Sequence, residues 1–190
     1  MILQRPEDLR LFLSVPHSMT TCAGAVTAYL LRRIAHRAGA YAPGIQEHLF
    51  YEATTNAAGR SIDTVQGWFR ERIELFQEIG YRFSARRVAE RTPNILAWVK
   101  EGGGYRGAML PTEYKRLHPT AKGAEADVAH AVGIAVERLE GSAVDDLVMI
   151  DPWPGTATGT RDRTPIPAAL ESAHRDRNYH AIIFYWAGWA

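Results

Sequence analysis

VAHAVGIAVERLEGSAVDDLVMID, residues 128–151, reads as two β-strands joined by a hairpin. The first, Val128–Arg138, is an apolar run with small neighbours; the second, Leu147–Ile150, is short and apolar, and Gly141 sits in the connection. An imidazole, His130, enters the first strand, and a carboxylate, Asp151, ends the second. An antiparallel hairpin brings the start of one strand beside the end of the other, so His130 and Asp151 are expected to be neighbours.

Working outward, His180–Trp186 is a further strand, preceded by a Gly/Thr/Pro-rich loop and a short helix near Pro167–His174. Upstream, Tyr105–Leu110 and Tyr81–Val88 are strand candidates. Between them Pro93–Glu101 is a helix, with Thr92 as its expected cap, Pro93 at its first position and Gly102 as its stop. The N-terminal half has helical spacing instead. A helix runs from Cys22 to a stop at Gly39, a second over Ile45–Ala58 and a third over Ser61–Glu78. Helices come mainly first and strands mainly last, which predicts an α+β fold with an antiparallel sheet in its C-terminal half. One domain is expected over 1–190, with a helical lobe over about 1–80 and a sheet lobe over about 81–190.

The composition supports one ordered body. The chain has 190 residues, 46% of them hydrophobic, and 22 Lys plus Arg against 21 Asp plus Glu. A net charge of +1 offers no long-range field for nucleic acid or an acidic membrane, so neither is expected as a partner. The first residues show no signal-peptide pattern and no stretch is long and apolar enough to span a bilayer. The expected location is the cytoplasm, or outside the cell as part of a larger exported effector. A single cysteine excludes an internal disulfide and a paired-cysteine zinc site. With no HExxH pattern and no acidic calcium loop, neither a metal nor a cofactor has sequence support.

That single cysteine, Cys22, falls in the first turn of a helix after Thr20 and Thr21. A helix N-terminus carries roughly half a positive charge, which favours the thiolate, the nucleophilic form of the residue. As a plain packing residue the same cysteine would be a small core hydrophobe. Ala23, Gly24 and Ala25 behind it are small enough to let a substrate approach the helix start. A nucleophilic thiol needs a base, and among seven histidines His130 stands out because a polar ring in an apolar strand needs a partner. A structural hydrogen bond would also satisfy it. Asp151, before Pro152, is either a turn former or the group that orients this imidazole. His36 and His174 read as surface residues, His118 as a loop residue before Pro119, and Arg32-Arg33 and Arg86-Arg87 as solvated charge. Gly102-Gly103-Gly104-Tyr105-Arg106-Gly107 has the spacing of a dinucleotide fingerprint, but with a helix before it and a strand after it. It is therefore read as a turn.

Thr21-Cys22-Ala23-Gly24-Ala25, His130-Ala131-Val132-Gly133-Ile134 and Asp151-Pro152-Trp153-Pro154-Gly155, in that order, resemble the papain-like cysteine peptidases. The likeness is to the bacterial bacteriocin-processing peptidases and the AvrRpt2-type effector proteases. The resemblance implies a papain-like fold and a protein or peptide substrate. It implies Cys22 as nucleophile, His130 as general base and then acid, and Asp151 as orienter of the imidazole, with Ala23, Gly24 and Trp153 along the substrate cleft. Two positions depart from the family pattern. Ala23 follows the cysteine where Gly or Trp is usual, and Pro16 and His17 stand where a Gln usually donates to the oxyanion. His17 is expected to take over that donation beside the Cys22 backbone N–H. A papain-fold toxin or effector acting as a glutamine deamidase or transglutaminase-like enzyme would use the same acyl-enzyme step. A catalytically inactive binding module would keep only the fold.

Overall fold

The computed structural model describes residues 22–40, 82–120, 129–139, 141–152 and 163–187. The expected helices over Ile45–Ala58 and Ser61–Glu78, and the residues His17 and Trp153, lie outside these. In the described residues helix α1 (Cys22–Arg37) is followed by β1 (Phe83–Ala89), α2 (Thr92–Glu101), β2 (Arg106–Glu113) and the single turn α3 (Tyr114–Leu117). Then come β3 (Ala129–Arg138), β4 (Asp145–Ile150), β5 (Arg163–Pro165), α4 (Leu170–Arg175) and β6 (His180–Trp186). The strands form one antiparallel sheet in the order β1-β6-β2-β3-β4-β5. The architecture is α+β, with helices and an antiparallel sheet.

Strand β3 lies inside the sheet and is packed on both faces, which explains its nearly unbroken apolar sequence. Alternate residues go to opposite sides. Ala131 and Ala135 share a core with α1, Val148, Ile150, Ile182 and Phe184. Val132 and Ile134 share the other with Ile95 and Val99 of α2, Met149, Leu170 and Ile183. The sheet is thus sandwiched, with α1 on one face and α2 and α4 on the other.

Helix α1 lies close to the sheet because the residues between them are small. A Cβ at Gly133 would sit 3.1 Å from Val26 Cγ1 and 3.2 Å from Ile150 Cβ, and one at Gly107 would sit 3.0 Å from Leu30 Cδ2. The helix stops as its sequence predicts, with Gly39 at φ +77° and the Ala40 N–H donating back to the Ala35 carbonyl at 2.8 Å.

Several local expectations are corrected. Thr92 does not cap α2; it is the first helical residue, and its hydroxyl pairs with His174 Nδ1 at 3.0 Å. His174 is fully buried rather than at the surface. Its Nε2 donates to the His180 carbonyl at 3.0 Å, so Nδ1 is free to accept from Thr92. Arg32, expected in solvent, is buried, whereas Arg86 and Arg87 are exposed on the edge strand β1, where charge discourages pairing with another sheet. The glycine-rich segment is a turn between α2 and β2, with positive φ at Gly103 and Gly104. Strand β2 runs three residues beyond Leu110. Pro111 is tolerated because the pairing with β6 has ended at Met109 while that with β3 continues.

Two outcomes follow. Gly133→Val should push α1 from the sheet and cost about 1–3 kcal/mol, read as a thermal midpoint lowered by roughly 2–4 °C per kcal/mol. Burial holds the His174 imidazole below its ordinary titration range, partly offset by its bond to the His180 carbonyl and by Glu171. The neutral ring therefore contributes stability above the unfolded value of 6.5, which is lost as the pH falls below it. The wild-type melting midpoint should fall between about pH 7 and pH 5 more steeply than that of His174→Gln, whose amide cannot take up a proton. Parallel slopes would remove His174 as the cause.

Candidate active site

Three elements meet at one end of the α1–β3 seam. Cys22 is the first residue of α1 and 7% exposed. Its sulfur accepts a hydrogen bond from the Ala131 backbone N–H at 3.4 Å. His130, second residue of β3, is 5% exposed. Asp151, the residue after β4, is 2% exposed. The register pairs Gly133 with Ile150, which sets Asp151 beside the start of β3 as the hairpin predicts. Asp151 Oδ1 receives His130 Nε2 at 2.7 Å. His130 also shares a side-chain hydrogen bond with Cys22. With Nε2 held by the carboxylate, Nδ1 is the nitrogen left for the sulfur.

The electrostatics suit a charged imidazole. Burial alone would disfavour the charge, but the hydrogen bonds and charges of Asp151 and Cys22 outweigh it, and His130 is pushed up to about 9. The Ala131 N–H adds a donor aimed at the neighbouring Cys22 sulfur.

His118 belongs to this site as well, although the sequence reads it only as a loop residue. Its Nε2 lies 2.7 Å from Asp151 Oδ2, so the carboxylate holds one imidazole on each oxygen. The turn α3 places it there, with the His118 backbone N–H donating to the Tyr114 carbonyl at 2.8 Å. The buried Tyr114 ring packs against both imidazoles, with centroids 4.4 Å from His118 and 5.1 Å from His130. Of the cleft residues implied by the resemblance, Ala23 and Gly24 are buried in the first turn of α1, with the Ala23 carbonyl accepting from the Thr27 hydroxyl at 2.7 Å.

The other end of the seam is closed by Glu137, near the end of β3. It accepts from the Tyr29 hydroxyl, from Arg33 Nε at 3.0 Å and from Arg163 Nε at 2.6 Å. Burial, then the Glu137 charge, holds the Tyr29 phenol well above its ordinary value, so it stays protonated and donates. Side-chain exposures of 15% for Arg33, 10% for Arg163 and 6% for Glu137 make this a buried cluster rather than a surface pair. Among the described residues it ties α1, β3 and β5 together, and neither Tyr29 nor Glu137 is marked by any sequence motif.

No protein-family model and no curated protein matches the chain. Among solved structures, a variant of the Salmonella effector SpvD is similar over 98% of this chain and 80% of its own, at 8% identity and a TM-score of 0.46. A likeness of that size does not establish a shared fold. No helix among the described residues is long and apolar enough to cross a membrane.

Glu137→Leu leaves two part-buried guanidinium groups without their carboxylate and should cost about 2–4 kcal/mol, toward the lower end of the scale for a broken buried pair. The readout is the urea midpoint. An unchanged midpoint would show that the arginines relax to solvent at no cost.

Proposed function

We propose that this chain is a papain-like cysteine hydrolase, a peptidase acting on a protein or peptide through Cys22, His130 and Asp151. The observation that carries the reading is the pairing of His130 Nε2 with Asp151 Oδ1 at 2.7 Å, with the Cys22 sulfur held beside the same strand start by the Ala131 backbone N–H. Each group then has one task. His130 holds the proton given up by the thiol as an imidazolium, and the thiolate attacks the acyl carbon of the scissile amide. The tetrahedral oxyanion collapses to a thioester as the imidazolium gives its proton to the leaving amine. Water, deprotonated by the same imidazole, then attacks the thioester, releasing the acid and restoring the thiol. Asp151 fixes the tautomer and ring orientation throughout, and His118 fixes Asp151 through its second oxygen. The Cys22 backbone N–H, with His17 as the expected second donor, would receive the oxyanion.

Iodoacetamide labelling tests the nucleophile without knowledge of the substrate. Cys22 in the wild type should react at neutral pH faster than a free peptide thiol, and His130→Ala should slow it by about a hundredfold or more. Asp151→Asn and His118→Ala should slow it by smaller factors. Labelling no faster than a peptide thiol, and indifferent to His130, would leave a packing cysteine in an inactive fold. Ammonia release from glutamine-containing protein without backbone cleavage would assign the deamidase reaction instead.

A further inference from the structure

The hydrolase reading needs only His130 for proton transfer, but the fold sets a second imidazole on Asp151. His118, His130 and Asp151 each offer a ligand atom, all within 4.8 Å of one another. The carboxylate lies between the two Nε2 atoms, 2.7 Å from each. Asp151 and His130 are buried, and His118 is 23% exposed at its side chain, so among the three His118 is the one in contact with solvent. Tyr114 packs against both rings and restricts their rotation. Two imidazoles and one carboxylate form a donor set suited to a borderline divalent cation.

We propose that His118, His130 and Asp151 form a binding site for Zn2+. Ligand atoms around tetrahedral zinc stand about 3.3 Å apart, with metal–nitrogen distances of about 2.0–2.1 Å. The 2.7 Å nitrogen–oxygen separations must therefore open by roughly half an ångström, and the widest separation, up to 4.8 Å, must close by up to about 1.5 Å, which takes side-chain rotation of the partly exposed His118. The metal takes the Nε2 lone pairs, so the protons that Nε2 now shares with Asp151 leave those atoms. Metal and triad hydrogen bonds are mutually exclusive, and on the hydrolase reading a bound zinc ion is an inhibitor. Binding itself does not need Cys22, and this separates the two ideas experimentally. The site follows no linear zinc spacing, because its ligands come from the end of α3, the start of β3 and the end of β4.

The test is competition between the full chain and a fluorescent zinc indicator at about pH 7.5. Wild type and Cys22→Ser should each bind one Zn2+ with affinities within about threefold of each other. His118→Ala should bind at least about tenfold more weakly, the scale on which lost support around a metal is felt. His118→Gln, which keeps the bulk but offers an amide in place of imidazole, should be weakened as well, and near-wild-type melting of both variants without zinc shows the loss to be local. Full affinity in both His118 variants would overturn the site, as would loss of binding in Cys22→Ser alone, which would place the metal on the thiolate. Absence of stoichiometric binding by the wild type would also overturn it.

Discussion

The close approach of α1 to β3 is the constraint on which the rest of the described structure depends. The sulfur of Cys22 reaches the backbone of Ala131 only because the strand carries no Cβ at Gly133 and only a methyl group at Ala131. At the other end the same two elements are held by Tyr29 and Arg33 on Glu137. From Cys22 to Arg33 a helix advances about 16 Å, and from Ala131 to Glu137 a strand advances about 20 Å. The two elements therefore run side by side in the same direction for nearly equal lengths, pinned at both ends. Small residues permit the approach and the polar groups fix its register.

The hairpin of residues 128–151 was legible because both of its faces are packed. A strand buried on one side alternates, but β3 has helices on both sides and reads as an apolar run ending in a turn. The same logic failed where polar residues point inward. Arg32 and His174 sit in charged stretches, and local composition predicts solvent for both, yet both are buried. His174 is buried at low cost because Thr92 and the His180 carbonyl satisfy its two nitrogens, and neither partner lies near it in the pattern that defines α4. Strand β5, three residues long and set after a Gly/Thr/Pro-rich stretch of sequence, is too short to carry a periodicity.

The three residues singled out as a candidate triad come together for a reason visible in the chain. His130 and Asp151 belong to one hairpin, and a hairpin's pairing is a local property. Placing Cys22 needs more: α1 must dock on β3 with its first turn at the strand's start, and only the small residues of both elements hinted at it. His118 could not be found this way. It reaches Asp151 because β2 pairs with β3 through Thr112 and His130, and α3 then turns the chain back beside that pair. That register is a tertiary fact, and the His118-Pro119 dipeptide reads only as a loop.

The second imidazole also follows from what burial demands. Asp151 is 2% exposed, and a carboxylate removed from water is tolerated only when its oxygens are hydrogen-bonded. A single bond to His130 would leave Oδ2 to be satisfied elsewhere, and a carboxylate free to turn about its own axis would not hold an imidazole in one orientation. A bond on each oxygen removes that rotation. His118 thus does for Asp151 what Asp151 does for His130, and the order of the line is set from its outermost member inward. The orientation of the His130 ring then derives from the short turn α3 as much as from the strand that carries it.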